Sequence, residues 1–255
     1  MSHSEAIVDQ FTRQAAQFAA SPTARSEEIL ERILRVAEPK PSDVALDVAC
    51  GPGVLVCALA RHVREARGID LTPAMLEQAR KTQQGKGVEN VAWDQGDVSA
   101  MPYGDATFDV VTCRFAVHHF PDPLAVVREM RRVCRPGGRI VIADSAPAAG
   151  KAEAFNAMER LRDSSHTRAL PVEELTELFR RAGLPEPRVE RTRLALELEE
   201  FLGRSYPKEG NEARIRAMFE RALMDDAMDL EPRREGTTIR FSVPVAIVSA
   251  KLADR

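Results

Sequence analysis

Residues Val44 to Ala60 read V-A-L-D-V-A-C-G-P-G-V-L-V-C-A-L-A, and this stretch decides the fold. Its first half, Val44 to Cys50, is a short apolar run broken once by Asp47, the pattern of a strand buried in a parallel sheet. Gly51 and Gly53 follow at once, and Val54 to Ala60 then turns alanine- and leucine-rich with helical spacing before the charged Arg61. Strand, glycine turn and helix make the opening unit of a doubly wound α/β sheet. The turn falls at the carboxyl end of the strand, where such sheets bind nucleotides. Gly51 lets backbone pass close to a ligand, and Gly53 permits a tight turn that a Cβ would obstruct. The glycines do not complete G-x-G-x-x-G, because the third glycine position counted from Gly51 holds Val56. A pyrophosphate against the helix start is therefore disfavoured, and with it a nicotinamide-dependent oxidoreductase.

Composition sets the outer bounds. A chain of 255 residues suits one α/β domain with an elaborated lid and can bury a full core. Hydrophobic content of 44% with 29% charged residues is that of a globular protein, and a net charge of −3 gives no global attraction to nucleic acid or anionic membrane. Cys50, Cys57, Cys113 and Cys134 form no C-x-x-C pair and read as small buried hydrophobes in a reducing compartment. No apolar run reaches about 18 residues and the first residues, M-S-H-S-E, lack a basic and apolar signal, so a cytoplasmic protein without a membrane span is expected.

The segment D-V-A-C-G-P-G, Asp47 to Gly53, resembles the first motif (D/E-x-x-x-G-x-G) of the class I S-adenosylmethionine-dependent methyltransferases. Later segments extend the resemblance in order. Ala66 to Asp70 reads as the second strand and ends in a carboxylate 17 positions beyond Gly53. A carboxylate at that strand tip is placed to accept hydrogen bonds from both ribose hydroxyls of an adenosine. Thr72 followed by Pro73 is the better helix cap, which frees Asp70 for the ligand. G-I-D-L-T-P-A-M-L is similar to the second methyltransferase motif, placing Leu71 and Met75 near the adenosine. After the strand Val88 to Gln95, G-D-V-S follows. The resemblance implies that Asp97 binds the adenine amino group and that the Val98 backbone N–H reaches a ring nitrogen, although a turn aspartate is common in any loop. Trp93, the sole tryptophan, is assigned to core or sheet surface. The set implied to touch S-adenosylmethionine is Asp47, Ala49, Gly51, Gly53, Asp70, Leu71, Met75, Asp97, Val98 and Arg114. The chain departs from the motif at Ala49, where glycine is often found.

Thr107 to Arg114 is the fourth strand, and R-F-A-V-H-H-F-P-D-P follows it. Enzymes that methylate base amines carry a D/N-P-P-Y type sequence here to hold an extruded base. Arg114-Phe115-Ala116-Val117 replaces it, which argues against nucleic acid as substrate. The H-H-F pattern instead resembles small-molecule O-, N- and C-methyltransferases of ubiquinone/menaquinone-biosynthesis type. His118 and His119 are two of five histidines, and a histidine can deprotonate an acceptor near neutral pH. Neighbours in sequence diverge on a regular element, so one is expected to be catalytic or substrate-facing and the other structural; the alternative is that both only cap the loop before the helix Pro121 to Cys134. Asp144, closing the fifth strand Arg139 to Asp144, is a candidate to orient a catalytic histidine, to bind substrate, or simply to cap a loop. Arg128, Arg131, Arg132 and Arg135 form the basic outer side of the helix Pro121 to Cys134, read as a solvated face.

The flanks are read as attachments to this core. Residues 1–40 hold two helices, Ser4 to Ala20, ended by Ser21-Pro22, and Ser26 to Glu38. The first is either a packed helix or a flap whose aromatic residues close over the ligands. Residues 43–145 form the cofactor-binding core, 146–235 a substrate lid, and 236–250 a closing strand that pairs antiparallel with Arg188 to Leu196. Phe155, Arg162, His166, Tyr206 and Met218 are pocket candidates. D-S-S-H, Asp163 to His166, is similar to a bacterial group of relatives of the ubiquinone-type enzymes. The expected whole is one Rossmann-like class I methyltransferase domain, a seven-stranded mostly parallel sheet with helices on both faces and a helical lid insertion. Its acceptor would be a small molecule and no metal is called for, since no ligand cluster suits one. A S-adenosylmethionine-binding regulator or partner subunit without methyl transfer is the alternative.

Overall fold

The computed structural model describes residues 3–254 apart from 22, 24, 25 and 206. Pro22 and Tyr206 thus lie outside the described residues, with the roles expected of them. The strands are β1 (Val44–Val48), β2 (Glu65–Asp70), β3 (Val91–Gln95), β4 (Phe108–Arg114), β5 (Cys134–Ser145), β6 (Arg188–Glu197), β7 (Arg233–Glu235) and β8 (Thr238–Lys251). They form one sheet in the order β3-β2-β1-β4-β5-β8-β6, with β7 paired only to β8. β1, β2, β3, β4 and β5 run parallel, whereas β8 is antiparallel to β5, β6 and β7. The expected doubly wound sheet is present, with one strand more than the seven anticipated. β7 escaped the sequence reading because all three of its residues, Arg233, Arg234 and Glu235, are exposed and carry no alternation.

Why these strands sit at the centre follows from their two-residue period. Every residue of β1 is buried, and its side chains divide between the faces: Ala45 joins one apolar cluster, while Val44, Leu46 and Val48 join the other. β4 and β5 divide in register, with Val110, Val141 and Ala143 on the first face and Val111, Cys113, Ile140 and Ile142 on the second. Burying one such Leu or Val contributes about 1.5–3 kcal/mol, and a shift of one residue would exchange the side chains of the two apolar faces and mispack both. The four cysteines are buried and unpaired.

Helices cover both faces. α1 (His3–Ala20), α2 (Glu27–Ala37), α3 (Val54–Ala60), α4 (Pro73–Lys86), α5 (Pro123–Val133), α6 (Ala152–Arg162), α7 (Val172–Arg181), α8 (Leu198–Gly203) and α9 (Asn211–Asp225) follow in chain order. α2 starts where the Ser26 hydroxyl accepts from Ile29 N at 3.4 Å, and its buried stripe is Ile29, Ile33 and Ala37. α5 begins at Asp122, whose carboxylate accepts from Ala125 N at 3.0 Å. Within 146–235, β6 joins the sheet and α7 packs its Leu175, Leu178 and Phe179 with the α5 face, which leaves α6, α8 and α9 as the helices of the expected lid segment that do neither. No helix among the described residues is long and apolar enough to cross a membrane.

The glycine turn shows a division of labour that the motif alone conceals. Gly51 (φ +51°) opens toward α1, where an added Cβ would meet only Phe18, at 3.9 Å. Gly53 (φ +73°) lies under Trp93, and an added Cβ would fall 2.9 Å from Ala79 Cβ and closer still to the indole. Trp93 is fixed there by its own N–H, which donates to Gln83 Oε1 at 2.8 Å. Gly53→Ala is therefore expected to cost about 2–5 kcal/mol, from left-handed backbone and overpacking together. Urea unfolding would read this as a lower midpoint at unchanged slope; an unchanged midpoint would show that the indole yields freely.

Candidate active site

At the carboxyl ends of β1, β2 and β4, where the strand order reverses, lies a cavity of about 270 Å³. Nine of the ten residues proposed for the cofactor line it: Asp47, Ala49 and Gly51 from the first turn, Asp70, Leu71 and Met75 from the second, Asp97, Val98 and Arg114 beyond. Gly53 does not. Its role is the packing described above, which corrects the expectation placed on it. Ala49 itself holds φ +54°, the left-handed conformation that explains why glycine suits this position.

Asp70 is not free in the sense expected. Its Oδ2 accepts from Gly51 N at 2.8 Å and its Oδ1 from Thr72 N at 2.8 Å. Thr72 marks the start of α4 without a side-chain cap bond, so the carboxylate of Asp70 serves the turn. Each carboxylate oxygen has a second lone pair, and the residue still lines the cavity, so it binds both turns to one another while facing the ligand space. Burial pushes its carboxyl up, against the pull of the two backbone N–H groups. Asp97 likewise does two things: Oδ1 accepts from Ser99 N at 2.8 Å and Ser99 Oγ at 2.7 Å, forming the loop that presents Val98 to the cavity.

Arg132 holds this loop from behind. It donates to the carbonyls of Tyr103 at 2.7 Å and Met101 at 3.1 Å and pairs with Glu129 at 2.7 Å, while Glu129 accepts from Met101 N at 2.9 Å. Arg135 pairs with Asp109 at 2.7 Å. The arginine run is thus in part a clamp rather than a purely solvated face.

Asp47, buried, and Arg114, half-buried, both stand on the cavity wall. Asp47 accepts from Thr112 Oγ1 at 2.7 Å. Burial pushes its carboxyl up to about 7, although Thr112 and the Arg114 charge oppose this. Burial also pushes Arg114 down to about 10, and its Nη1 donates to Thr23 O at 3.4 Å. Between pH 3.8 and about 7 the unfolded chain has lost the Asp47 proton that the folded chain keeps, so stability falls as pH rises through that window. Asp47→Asn carries no such proton. Its stability relative to the parent is expected to grow from near zero at the acid end to about 1–4 kcal/mol at pH 8. Unfolding curves at both ends check this; a difference independent of pH would mean that Asp47 is ionised throughout.

A second, smaller cavity of about 80 Å³ adjoins the first, and Phe11, Phe18, Phe115 and His119 line both. α1 therefore covers the site, with Phe11 edge-on to His119 at 4.9 Å and to Phe18 at 6.2 Å. Phe115 holds φ +52°, an uncommon conformation for a bulky residue, fixed by its N–H to Ala143 O at 2.8 Å. His118, His119 and His166 all line the smaller cavity. The rings of His118 and His119 stand 4.3 Å apart, so the expectation that adjacent histidines diverge fails here. They lie on a 3₁₀ turn, Val117–His119, whose tighter pitch does not impose the divergence of a regular strand.

Each histidine has its own orienting partner. His118 Nδ1 donates to Asp144 Oδ1 at 2.5 Å, and His118 N donates to Asp144 Oδ2 at 3.3 Å. Burial opposes a charge on His118, but the Asp144 carboxylate outweighs it, and the net shift is upward. His119 Nδ1 donates to Ser165 O at 3.2 Å, and Ser165 Oγ gives its proton to Asp163 Oδ1 at 2.6 Å. Burial, reinforced by the neighbouring His118 charge, pushes His119 down to about 4. His166 Nε2 donates to Asn156 Oδ1 at 2.7 Å, and burial holds it far below the usual range. The Asp163–Arg168 segment clasps the histidine turn: Thr167 N, Thr167 Oγ1 and Arg168 N donate to His118 O at 2.8, 2.7 and 3.1 Å.

Among the lid candidates, Phe155 and Arg162 line the smaller cavity with His166. Met218 does not; it packs on the apolar cluster beneath the lid. Gln14, Asn156, Ser165 and Arg204 were missed by the sequence reading. A signal existed for Gln14, which follows Phe11 by three positions on the inner face of α1 and is a polar residue on an apolar stripe.

Residues 46–142 match a family model described as a methyltransferase domain. The chain is 30% identical over 243 residues to an uncharacterised methyltransferase, YcgJ, of Bacillus subtilis, covering 93% of this chain and 96% of that protein. The crystal structure of YcgJ superposes with a TM-score of 0.82 at 29% identity, over 89% of this chain and 99% of that one. A demethylmenaquinone methyltransferase of Bacillus cytotoxicus is 34% identical over 116 residues, 44% of this chain and 49% of that protein. The dinucleotide alternative is thereby set aside: the chain belongs to the S-adenosylmethionine-dependent methyltransferase family.

Proposed function

We propose that this enzyme methylates a small molecule held in the smaller cavity, with His118 as general base and Asp144 as its positioning residue. The observation that carries the reading is the shared wall: two cavities meet at Phe11, Phe18, Phe115 and His119, and the His118–Asp144 pair lies in the second. The donor set of the larger cavity fits the cofactor, with the Asp70 carboxylate for ribose hydroxyls, Asp97 and Val98 for an adenine edge, and the Asp47–Arg114 pair for the charged amino-acid end. The chemistry a bound S-adenosylmethionine supplies is an electrophilic methyl group on sulfur. The chain's part is to bring an acceptor atom to the shared wall and keep water out, an alignment worth up to about 7–11 kcal/mol in favourable systems. α1 and the lid supply that enclosure. Asp144 holds the His118 Nδ1–H, which leaves Nε2 to take a proton from a hydroxyl, an amine or an activated carbon. Neutral His119 lines both cavities and positions the acceptor atom.

Relatives named for methylation of demethylmenaquinone agree with a small-molecule acceptor. The test is release of S-adenosylhomocysteine from S-adenosylmethionine across a panel of phenols, quinols, amines and small acids. Turnover with a member of the panel, lost on Asp70→Ala, is the expected result. Tight cofactor binding with no turnover on any class would favour a binding protein without transfer.

A further inference from the structure

The smaller cavity contains polar groups that the fold itself does not satisfy. Among the described residues, Gln10 Nε2, Gln14 Nε2, His166 Nδ1 and Arg204 Nη2 are buried without a hydrogen-bond partner. Three of these residues, Gln14, His166 and Arg204, line the cavity. Gln14 is 2% exposed and sits between Phe11 and Phe18 on the inner face of α1. Arg204 comes from the opposite end of the chain. Its Nε donates to Glu200 O at 3.0 Å and its Nη1 to Thr23 Oγ1 at 3.2 Å, so the guanidinium is fixed in place by neutral oxygens. Arg162, lining the same cavity, is paired with Glu159 at 2.6 Å, whereas no carboxylate among the described residues stands within ion-pair distance of Arg204. Burial lowers the Arg204 proton affinity, against the pull of the Glu200 and Glu159 charges.

Buried donors without partners are costly in a free protein and are kept where a ligand completes them. The unpartnered atoms of Arg204 and Gln14 are N–H donors, the chemistry that receives an oxyanion, while the Glu159 and Asp163 carboxylates that also line the cavity are engaged by Arg162 and Ser165. The third orphan, His166 Nδ1, is an acceptor and takes no part in holding an anion. Size narrows the class further: about 80 Å³ is well short of the roughly 150 Å³ of a cavity that takes a benzene ring. Resting on the reading of the smaller cavity as the acceptor site, we propose that the acceptor is a short-chain carboxylic acid whose carboxylate is bound by Arg204 Nη2 and Gln14 Nε2.

The test compares lactate and 3-hydroxybutyrate with their uncharged primary amides by calorimetry, on the protein alone and on protein saturated with S-adenosylhomocysteine. At least one acid is expected to bind about tenfold or more tightly than its amide. Arg204→Met and Gln14→Leu should each reduce that preference below about threefold while leaving S-adenosylhomocysteine affinity within about twofold. Gln14→Leu should keep or raise Tm, because it removes a buried donor without a partner. Arg204→Met should lower it by no more than about 4 °C, because the loss of its two bonds to Glu200 O and Thr23 Oγ1 is offset by removal of the unpartnered Nη2. If neither acid binds more tightly than its amide, including the case of no binding, the proposal is overturned. Retention of the preference in both variants overturns it too, as does a Tm loss above about 4 °C, which would make the two donors parts of the fold. If S-adenosylhomocysteine fails to bind, the cofactor reading fails separately, and the acid–amide comparison on the free protein still decides this one.

Discussion

Asp70→Ala is expected to raise the Kd for S-adenosylmethionine at least 100-fold, the largest binding effect of any single change. Two losses combine. The cavity loses a carboxylate placed for ribose hydroxyls, and each charge-assisted bond of that kind contributes about 1.5–3 kcal/mol. The two turns also lose their common anchor, because Gly51 N and Thr72 N both donate to this side chain. Asp70→Asn should fall between the extremes, since an amide accepts at only one of the two oxygen positions. Calorimetric titration with S-adenosylmethionine and S-adenosylhomocysteine measures both variants. An Asp70→Ala protein that is folded and binds normally would show that the carboxylate serves the turns alone.

The second large effect is on turnover. Once an acceptor is in hand, His118→Ala is expected to lower kcat by about 10²- to 10⁴-fold, the usual contribution of a positioned base. Cofactor affinity should barely change, because His118 lines only the smaller cavity. The pH profile distinguishes a base from a structural ring. With its proton affinity raised by Asp144, His118 is charged and useless as a base at low pH, so activity should be lost as pH falls through a point above the ordinary histidine value of about 6.5. Asp144→Asn removes the carboxylate, so the inflection should move to lower pH as kcat drops. His119→Ala should leave the inflection in place, since His119 is neutral well below that pH. A profile unmoved by Asp144→Asn would assign the carboxylate to holding the turn through His118 N and Ser145 N.

The parallel half of the fold was legible because its signals are local. The β1 run, the Gly51–Gly53 turn and the acidic tip of β2 lie within 27 consecutive residues, and each carries its own physical reason. The wall of the larger cavity came with them, since residues at adjacent strand ends converge wherever a doubly wound sheet reverses its order. Gly53 is the exception, and what decides its role is Trp93, 40 positions away and reachable only through the fold. The smaller cavity was legible only in part. His118, His119 and His166 are conspicuous residue types, but two of them take their proton positions from ordinary partners: His119 from the Ser165 carbonyl and His166 from Asn156. Gln14 and Arg204 stand 190 positions apart, one on α1 and the other just past α8, and no local pattern encodes their meeting at one cavity. Arg204 looks like any exposed arginine in sequence. Its buried Nη2 is a property of the assembled lid.

The position of S-adenosylhomocysteine in a crystal of its complex with this enzyme is the most direct measurement. The adenine is expected at Asp97 and Val98, the ribose at Asp70, and the sulfur at the wall of Phe11, Phe18, Phe115 and His119, facing the histidines. Density with the sulfur turned to solvent, or outside the cavity of Asp47 and Asp70, would contradict the assignment of the two cavities to donor and acceptor.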